Sequence, residues 1–236
     1  DGILDFDVKK MVSLNYQNNE VALSALKQYS LVKKGQLVGN IKIIPYTMEK
    51  LKLDKILQVK KYKKFFSIKS IKIKYVTLIL SLDDLSQDTK KIISSIDLRL
   101  KNFGLKLDIV CKTNHDSNSL CNELKNHLNK KDNLILIYGS ASISDINDVI
   151  PSSIKKIRGK IISLGAPTDP GNLLLIASKN ESMILGVPGC AKSLSRNGFD
   201  IVLERICYGI DVSKMMISEM SNGGLYRNII RKSKTF

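Results

Sequence analysis

From about residue 73 onward the sequence predicts an α/β fold: a three-layer arrangement of a mostly parallel sheet with helices on both faces. Three observations carry this. Apolar runs of strand length alternate with segments of helical period. The runs are continuously apolar, as in strands buried on both faces. Glycine closes several segments, at Gly104, Gly159 and Gly209.

Each element follows from its residues. "YVTLILSL" (75–82) reads as a buried parallel strand. Residues 88–103 place Ile92, Ile93, Ile96, Leu100 and Phe103 on one helical face. "LKLDIVC" (105–111) is a second strand, and Asp116 or Ser117 then caps a helix carrying Leu120, Leu124 and Leu128. "NLILIYG" (133–139) is a third strand. Pro151 suits the first turn of the next helix, where its missing N–H costs nothing. "GKIISLG" (159–165) is another strand, and "LLLIAS" and "SMILGV" form a hairpin across "KNE". The last clear helix carries Phe199, Val202, Leu203 and Ile206 on one side.

Residues 1–70 differ. They are lysine-rich and weakly periodic, and "KKGQLVGNIKIIPY" (33–46) reads as strand, turn and strand with a proline ending the pairing. The expected organisation is a small N-terminal strand-containing module and linker (1–70, joined near 65–72), a main domain (71–210) and a C-terminal tail (211–236).

Composition narrows the function. The 236 residues are 43% hydrophobic and 25% charged, as in ordinary globular proteins. No apolar run approaches the roughly 20 residues that span a bilayer, and no signal peptide or membrane association is expected. The formal charge of +16 fits a nucleic acid or an anionic ligand. Lysine far outnumbers arginine, however, and a solvated lysine surface is the preferred reading of the charge. Aromatics are only 6%, and "KKYKKFF" (60–66), the nearest approach to a stacking pattern, reads as a linker or an edge. Four cysteines without a CxxC pair and two histidines argue against an ordinary zinc site, and fit reduced thiols in a cytoplasmic protein.

The chemistry is expected in loops. "YGSASISDINDVIP" (138–151) sets Gly139, Ser140, Ala141 and Ser142 where a strand hands over to a helix. Small residues there let backbone N–H groups approach a phosphate, and the helix adds its positive end. Asp145 and Asp148 follow. Asp148 either caps the helix or serves a ligand or Mg²⁺, and both readings stand at this level. "PTDPGN" (167–172) places Pro170, Gly171 and Asn172 in a turn, and "GVPGCAKS" (186–193) carries Gly186, Pro188, Gly189, Cys190 and Ser193 into another helix. Three such loops at strand ends can converge on one site.

In this order the three loops resemble the molybdopterin-binding domain of molybdenum-cofactor biosynthesis proteins, which include the molybdopterin adenylyltransferase and the molybdopterin molybdotransferase. The 139–142 loop resembles the family's G-G-T-G or G-G-V-S loop, and Asp148-Val149-Ile150-Pro151 its D-V-T-P helix start. Pro170-Gly171 resembles its P-G turn. Gly186, Pro188, Gly189 and Ser193 match its G-x-P-G-x-x-x-S loop. The resemblance spans about residues 73 to 210 and implies the molybdopterin-binding fold, with a phosphate-binding loop at 139–142. It implies molybdopterin as ligand or substrate, with Mg²⁺ at Asp148 and ATP in catalytic members. Asp148 and Asp145 would be the catalytic residues, and His115-Asp116 stands where the family has paired acids. It also implies a homo-oligomer, with handover to a molybdoenzyme or a biosynthesis partner.

Departures accompany the match. Ser140 replaces the second glycine, the loop before Asp148 is one residue longer, and Gly165 and Asp169 stand where the molybdotransferase has lysines. Pterin binding is therefore expected more firmly than nucleotidyl or molybdate transfer. Two other readings remain: a pyrophosphatase acting on an ADP-ribose-type nucleotide, and a non-catalytic scaffold or nucleic-acid-binding domain of the same fold.

Overall fold

The computed structural model describes residues 1–17, 19–51, 54 and 65–226. It forms two compact units, residues 1–71 and 72–236.

The first unit contains β1 (Gly2–Phe6), α1 (Val8–Gln17), β2 (Val21–Ala25), β3 (Leu31–Val32), β4 (Gly39–Ile43) and β5 (Phe66–Lys69). β1 lies between β3 and β5 in an antiparallel sheet, and β2 pairs with β4 in a separate ribbon. Leu4, Phe6 and Val32 are buried together, with the Phe65 and Phe66 rings packed on them. This corrects two expectations. The strands on either side of the turn in residues 33–46 are not partners, because Val32 turns into the β1 core while β4 follows β2. Residues 65–72 are not simply a linker either, because Phe66 stands opposite Phe6 with ring centroids 5.2 Å apart. Residues 60–64 of "KKYKKFF" lie outside the described residues.

The second unit is built on β6 (Tyr75–Leu82), β7 (Ile109–Asn114), β8 (Asn133–Gly139), β9 (Lys160–Leu164), β10 (Leu175–Lys179) and β11 (Ser182–Val187). Their order in the sheet is β7-β6-β8-β11-β10-β9. The first four are parallel, and β10 runs antiparallel to both neighbours. Leu78, Ile79, Leu80 and Leu134 to Ile137 are fully buried, as expected of central strands covered on both faces.

The helices are α2 (Lys90–Lys101), α3 (Ser117–His127), α4 (Val149–Lys156), α5 (Gly198–Cys207) and α6 (Lys214–Ser218). α3 and α4 cover one face through Leu120, Leu124, Ile150 and Ile154, which pack on Ile79, Ile135, Ile137 and Ile184. Alternate strand residues point the other way, toward α2 and α5, whose Ile92, Ile96, Leu100, Phe199, Val202 and Leu203 are buried. The α/β class with helices on both faces is thus as the sequence predicts.

Two boundaries move. The second strand of this unit begins at Ile109, because Leu105 N–H bonds to the Leu100 carbonyl and Asp108 is paired with Val76 through both backbone and carboxylate. Residues 211–226, set apart above as a tail, belong to this unit: Ile217 and Met220 are buried, and Asp169 pairs with Leu225.

Candidate functional site

β6, β7, β8 and β11 are parallel, so their carboxyl ends share one edge of the sheet. The register puts Leu82 beside Asn114, Ser81 beside Gly139, and Val187 beside Tyr138. Leu175 stands between Gly186 and Leu164, which brings the 165–174 loop to the same edge. The chain leaves β6 toward α2 on one face and β8 toward α4 on the other. Such a divergence opens a crevice at the strand ends.

At that crevice Ser81 is fully buried, and its Oγ lies 2.9 Å from His115 Nδ1. His115 is half-buried, and a Cβ on Gly139 would come within 3.1 Å of its Cε1. A larger residue at 139 would need the imidazole and the Ile150 side chain, also 3.1 Å away, to give by a few tenths of an ångström. Ser140 donates its N–H to the Ser81 carbonyl at 2.9 Å, and its Oγ accepts the Asp83 N–H at 2.8 Å. Its amide therefore ties the loop to β6 and does not face a ligand. Ala141 and Ser142 are exposed, and their N–H groups take no partner among the described residues.

Asp148 sits at the N-cap position of α4 but makes no side-chain bond to that helix. Its Oδ2 reaches back, accepting the Ser144 and Asp145 N–H groups at 2.8 Å each and the Ser144 hydroxyl at 3.4 Å. The Asp145 N–H, then the Ser144 N–H, hold this carboxyl below its ordinary range, and the nearby His115 charge adds to the effect. Asp145 Oδ1 accepts the Asn147 N–H at 2.7 Å, a local turn within the same loop. Both acids brace the loop's backbone. Asp116 caps α3, accepting the Asn118 and Ser119 N–H groups at 2.9 Å. It was expected in the site, yet the cap accounts for its carboxylate.

The "PTDPGN" turn is packed rather than open. Pro170 O accepts the Gly198 N–H at 2.9 Å, at the start of α5. Gly171 has φ +109°, and a Cβ there would lie 2.5 Å from the Gly198 nitrogen. Asp169 exchanges backbone bonds with Gly224 and Tyr226, and Asn172 O accepts from Ala166. Asn172 remains exposed at this edge.

The "GVPGCAKS" residues divide by role. Gly186 is inside β11, where a Cβ would collide with Ile143 of the first loop, so its job is packing. Pro188 is buried and opens a single 3₁₀ turn, Gly189–Lys192. Gly189 is exposed, and a Cβ on it would meet nothing. Cys190 is half-buried, and its carbonyl accepts the Ser193 N–H at 3.0 Å. Ser193 Oγ accepts the Ser195 N–H at 3.2 Å. Lys192 reaches over the Tyr138 ring, 5.3 Å from its centroid.

Sequence reasoning missed what holds this loop. Arg99 of α2, only 5% exposed, donates to the Ala191 carbonyl at 3.0 Å and the Ser193 carbonyl at 2.5 Å. Its Nε meets Asp200 Oδ1 at 2.6 Å, and Nη1 also reaches the Ser95 hydroxyl. Asp200 completes a capping box with Asn197 at the start of α5. The available signal was an arginine on the apolar face of a helix, two turns from Ile92. A recess of about 470 Å³ lies between α2 and this loop, lined by Lys91, Ser94, Leu98, Lys192, Ser193 and Leu194 among others.

None of the four cysteines forms a disulfide. Burial pushes Cys207 up to about 12; burial and then Glu123 do the same to Cys111. No helix among the described residues is long and apolar enough to cross a membrane.

No family model and no curated protein matches the sequence. Among solved structures, the chain is similar to a molybdopterin biosynthesis moea protein from Pyrococcus horikosii. Identity is 17% and the TM-score 0.42, over 57% of this chain and 36% of that one. It is likewise similar to molybdenum cofactor biosynthesis protein B, at 17% identity and a TM-score of 0.44, over 58% of this chain and 96% of that one. The chain therefore spans about a third of the first protein and nearly all of the second. Neither likeness is close enough to assign a family or an activity.

Proposed function

We propose that the chain binds molybdopterin, or a similarly phosphorylated pterin, and serves molybdenum-cofactor biosynthesis as a binding or handover protein. The observation that carries this reading is the gathering of the three motif loops at one edge of the sheet. There the Ala141 and Ser142 amides, Asn172 and Lys192 offer donors to an anionic ligand. Amides and a lysine around small residues suit a phosphate.

Binding is favoured over adenylyl transfer, because Asp145 and Asp148 each brace the loop with a carboxylate oxygen. Should the chain take Mg²⁺ and ATP, Asp148 Oδ1 is the oxygen that stands outside those bracing bonds. A positioned carboxylate is what phosphoryl or nucleotidyl transfer asks of such a residue.

The test is to purify the chain from cells that make the pterin, oxidise it, and quantify the fluorescent product per monomer. Near-stoichiometric pterin, lost in Gly189→Asp, supports the reading, since that position has room for the new acid and only its charge should matter. A folded wild type without pterin refutes it.

A further inference from the structure

Cys111, Glu123 and His127 converge at the edge strand of the main sheet, away from the loops just described. Cys111 is on β7, and Glu123 and His127 are one turn apart on α3. Their ligating atoms all lie within 4.8 Å of one another. His127 Nε2 is 2.8 Å from Glu123 Oε1 and 3.8 Å from Cys111 Sγ. We infer that these three residues form a binding site for a zinc-type divalent cation, with one coordination position left to water or an exogenous ligand.

One nitrogen of His127 is shared by the other two residues. Both contacts fall on Nε2, which has one hydrogen or one lone pair and so can make only one good hydrogen bond. Glu123 accepts from the Cys111 thiol as well as facing His127, so one carboxylate joins the other two side chains in the metal-free cluster. A cation between the three atoms uses all of them. With bonds of about 2.0–2.3 Å to imidazole, carboxylate and thiolate, a tetrahedral ion holds such ligands roughly 3.3–3.6 Å apart. The separations, from 2.8 Å to at most 4.8 Å, need adjustments of no more than about 1.5 Å.

Charge and ligand type agree. A thiolate, a carboxylate and a neutral imidazole balance a 2+ ion. One sulfur and one nitrogen favour a borderline-soft ion over Mg²⁺ or Ca²⁺, which take six or more oxygens. The frame is rigid: Cys111 is paired with Ile79 in the sheet, and the His127 carbonyl accepts the Asn133 Nδ2 at 2.8 Å. The side chains of His127 and Glu123 are 13% and 25% exposed, so solvent reaches the fourth position. Cys111 precedes His115 by four strand residues, about 13 Å along the sheet. The cation site is thus separate from the loop edge and independent of the function proposed there.

Titration of the untagged chain, stripped of metal, with Co²⁺ as a spectroscopic probe tests this. The expected result is one equivalent bound with a thiolate-to-metal charge-transfer band and intense visible absorption, both removed by Zn²⁺. The band should persist in Cys190→Ser, vanish in Cys111→Ser, and require at least ~10-fold more Co²⁺ in Glu123→Gln. Glutamine keeps the size of the side chain and can still bond to His127, so a purely structural pair predicts no change there. Absence of the band in the wild type, its survival in Cys111→Ser, or an unchanged affinity in Glu123→Gln would each overturn the assignment. If Cys111→Ser fails to fold, the Glu123→Gln affinity decides alone.

Discussion

Arg99 donates to the carbonyl of Ser193 from a helix that ends more than ninety residues earlier, and the N···O distance is 2.5 Å. The same guanidinium holds Ala191 O and Asp200, so one buried side chain fixes the 189–193 turn and the start of α5 together. Removing it strands a carboxylate and two carbonyls in a largely dry place. Breaking a buried pair from one side costs about 3–5 kcal/mol. Arg99→Ala is expected to lose that much in urea unfolding. Arg99→Lys should recover only part, because an ammonium cannot reproduce the planar fork.

Two glycines that look alike in sequence should respond in opposite ways. Gly171→Ala puts a side chain at φ +109° and 2.5 Å from the Gly198 nitrogen. Strained backbone of this kind costs of order 1–3 kcal/mol before any displacement of α5 is counted. Gly189→Ala meets nothing and needs no unusual φ, so its stability should stay within about 0.5 kcal/mol of wild type. Thermal melts of the two variants side by side check the contrast.

Why the sequence disclosed some of this and not the rest is visible in these residues. The 133–139 strand, the hairpin around Asn180 and the α5 face of Phe199, Val202, Leu203 and Ile206 are written in local periodicity. Local patterns survive folding when both faces of a sheet are buried. Arg99 is different: its partners are loop carbonyls, and no spacing within α2 announces them. Asp148 reads as a helix cap by position, yet its carboxylate turns to Ser144 and Asp145 because the preceding loop folds back over the helix start. Cys111, Glu123 and His127 meet only because α3 packs on β7. In the N-terminal unit, five-residue strands and an exposed ribbon carry too little apolar periodicity to be told from loop, so the β1–β5 pairing through Phe6 and Phe66 was not legible.

Acid should loosen the 144–148 loop through Asp148. Its folded pKa lies below the unfolded value, so its contribution to stability is present above the unfolded pKa, roughly 4. That contribution disappears as the pH falls through the folded pKa. Asparagine at 148 can still accept an N–H bond but cannot ionise. Wild type should therefore exceed Asp148→Asn in stability near neutrality, and the gap should close below about pH 4. Urea midpoints of the two proteins across that range give the test, and a gap independent of pH would remove the electrostatic role.

Lys192 offers the sharpest separation of binding from folding. Its ammonium lies over the Tyr138 ring in an exposed position at the loop edge, with no carboxylate within ion-pair distance among the described residues. An exposed cation–π contact is worth about 0.5–1 kcal/mol, so Lys192→Met should change stability very little. If the edge holds a phosphorylated pterin, the lost charge removes a direct electrostatic donor, and charge-assisted bonds are roughly twice as strong as neutral ones. Pterin recovered per monomer should then fall severalfold while the melting curve stays in place. Unchanged pterin content would mean that the anion sits elsewhere along the edge, nearer the Ala141 and Ser142 amides.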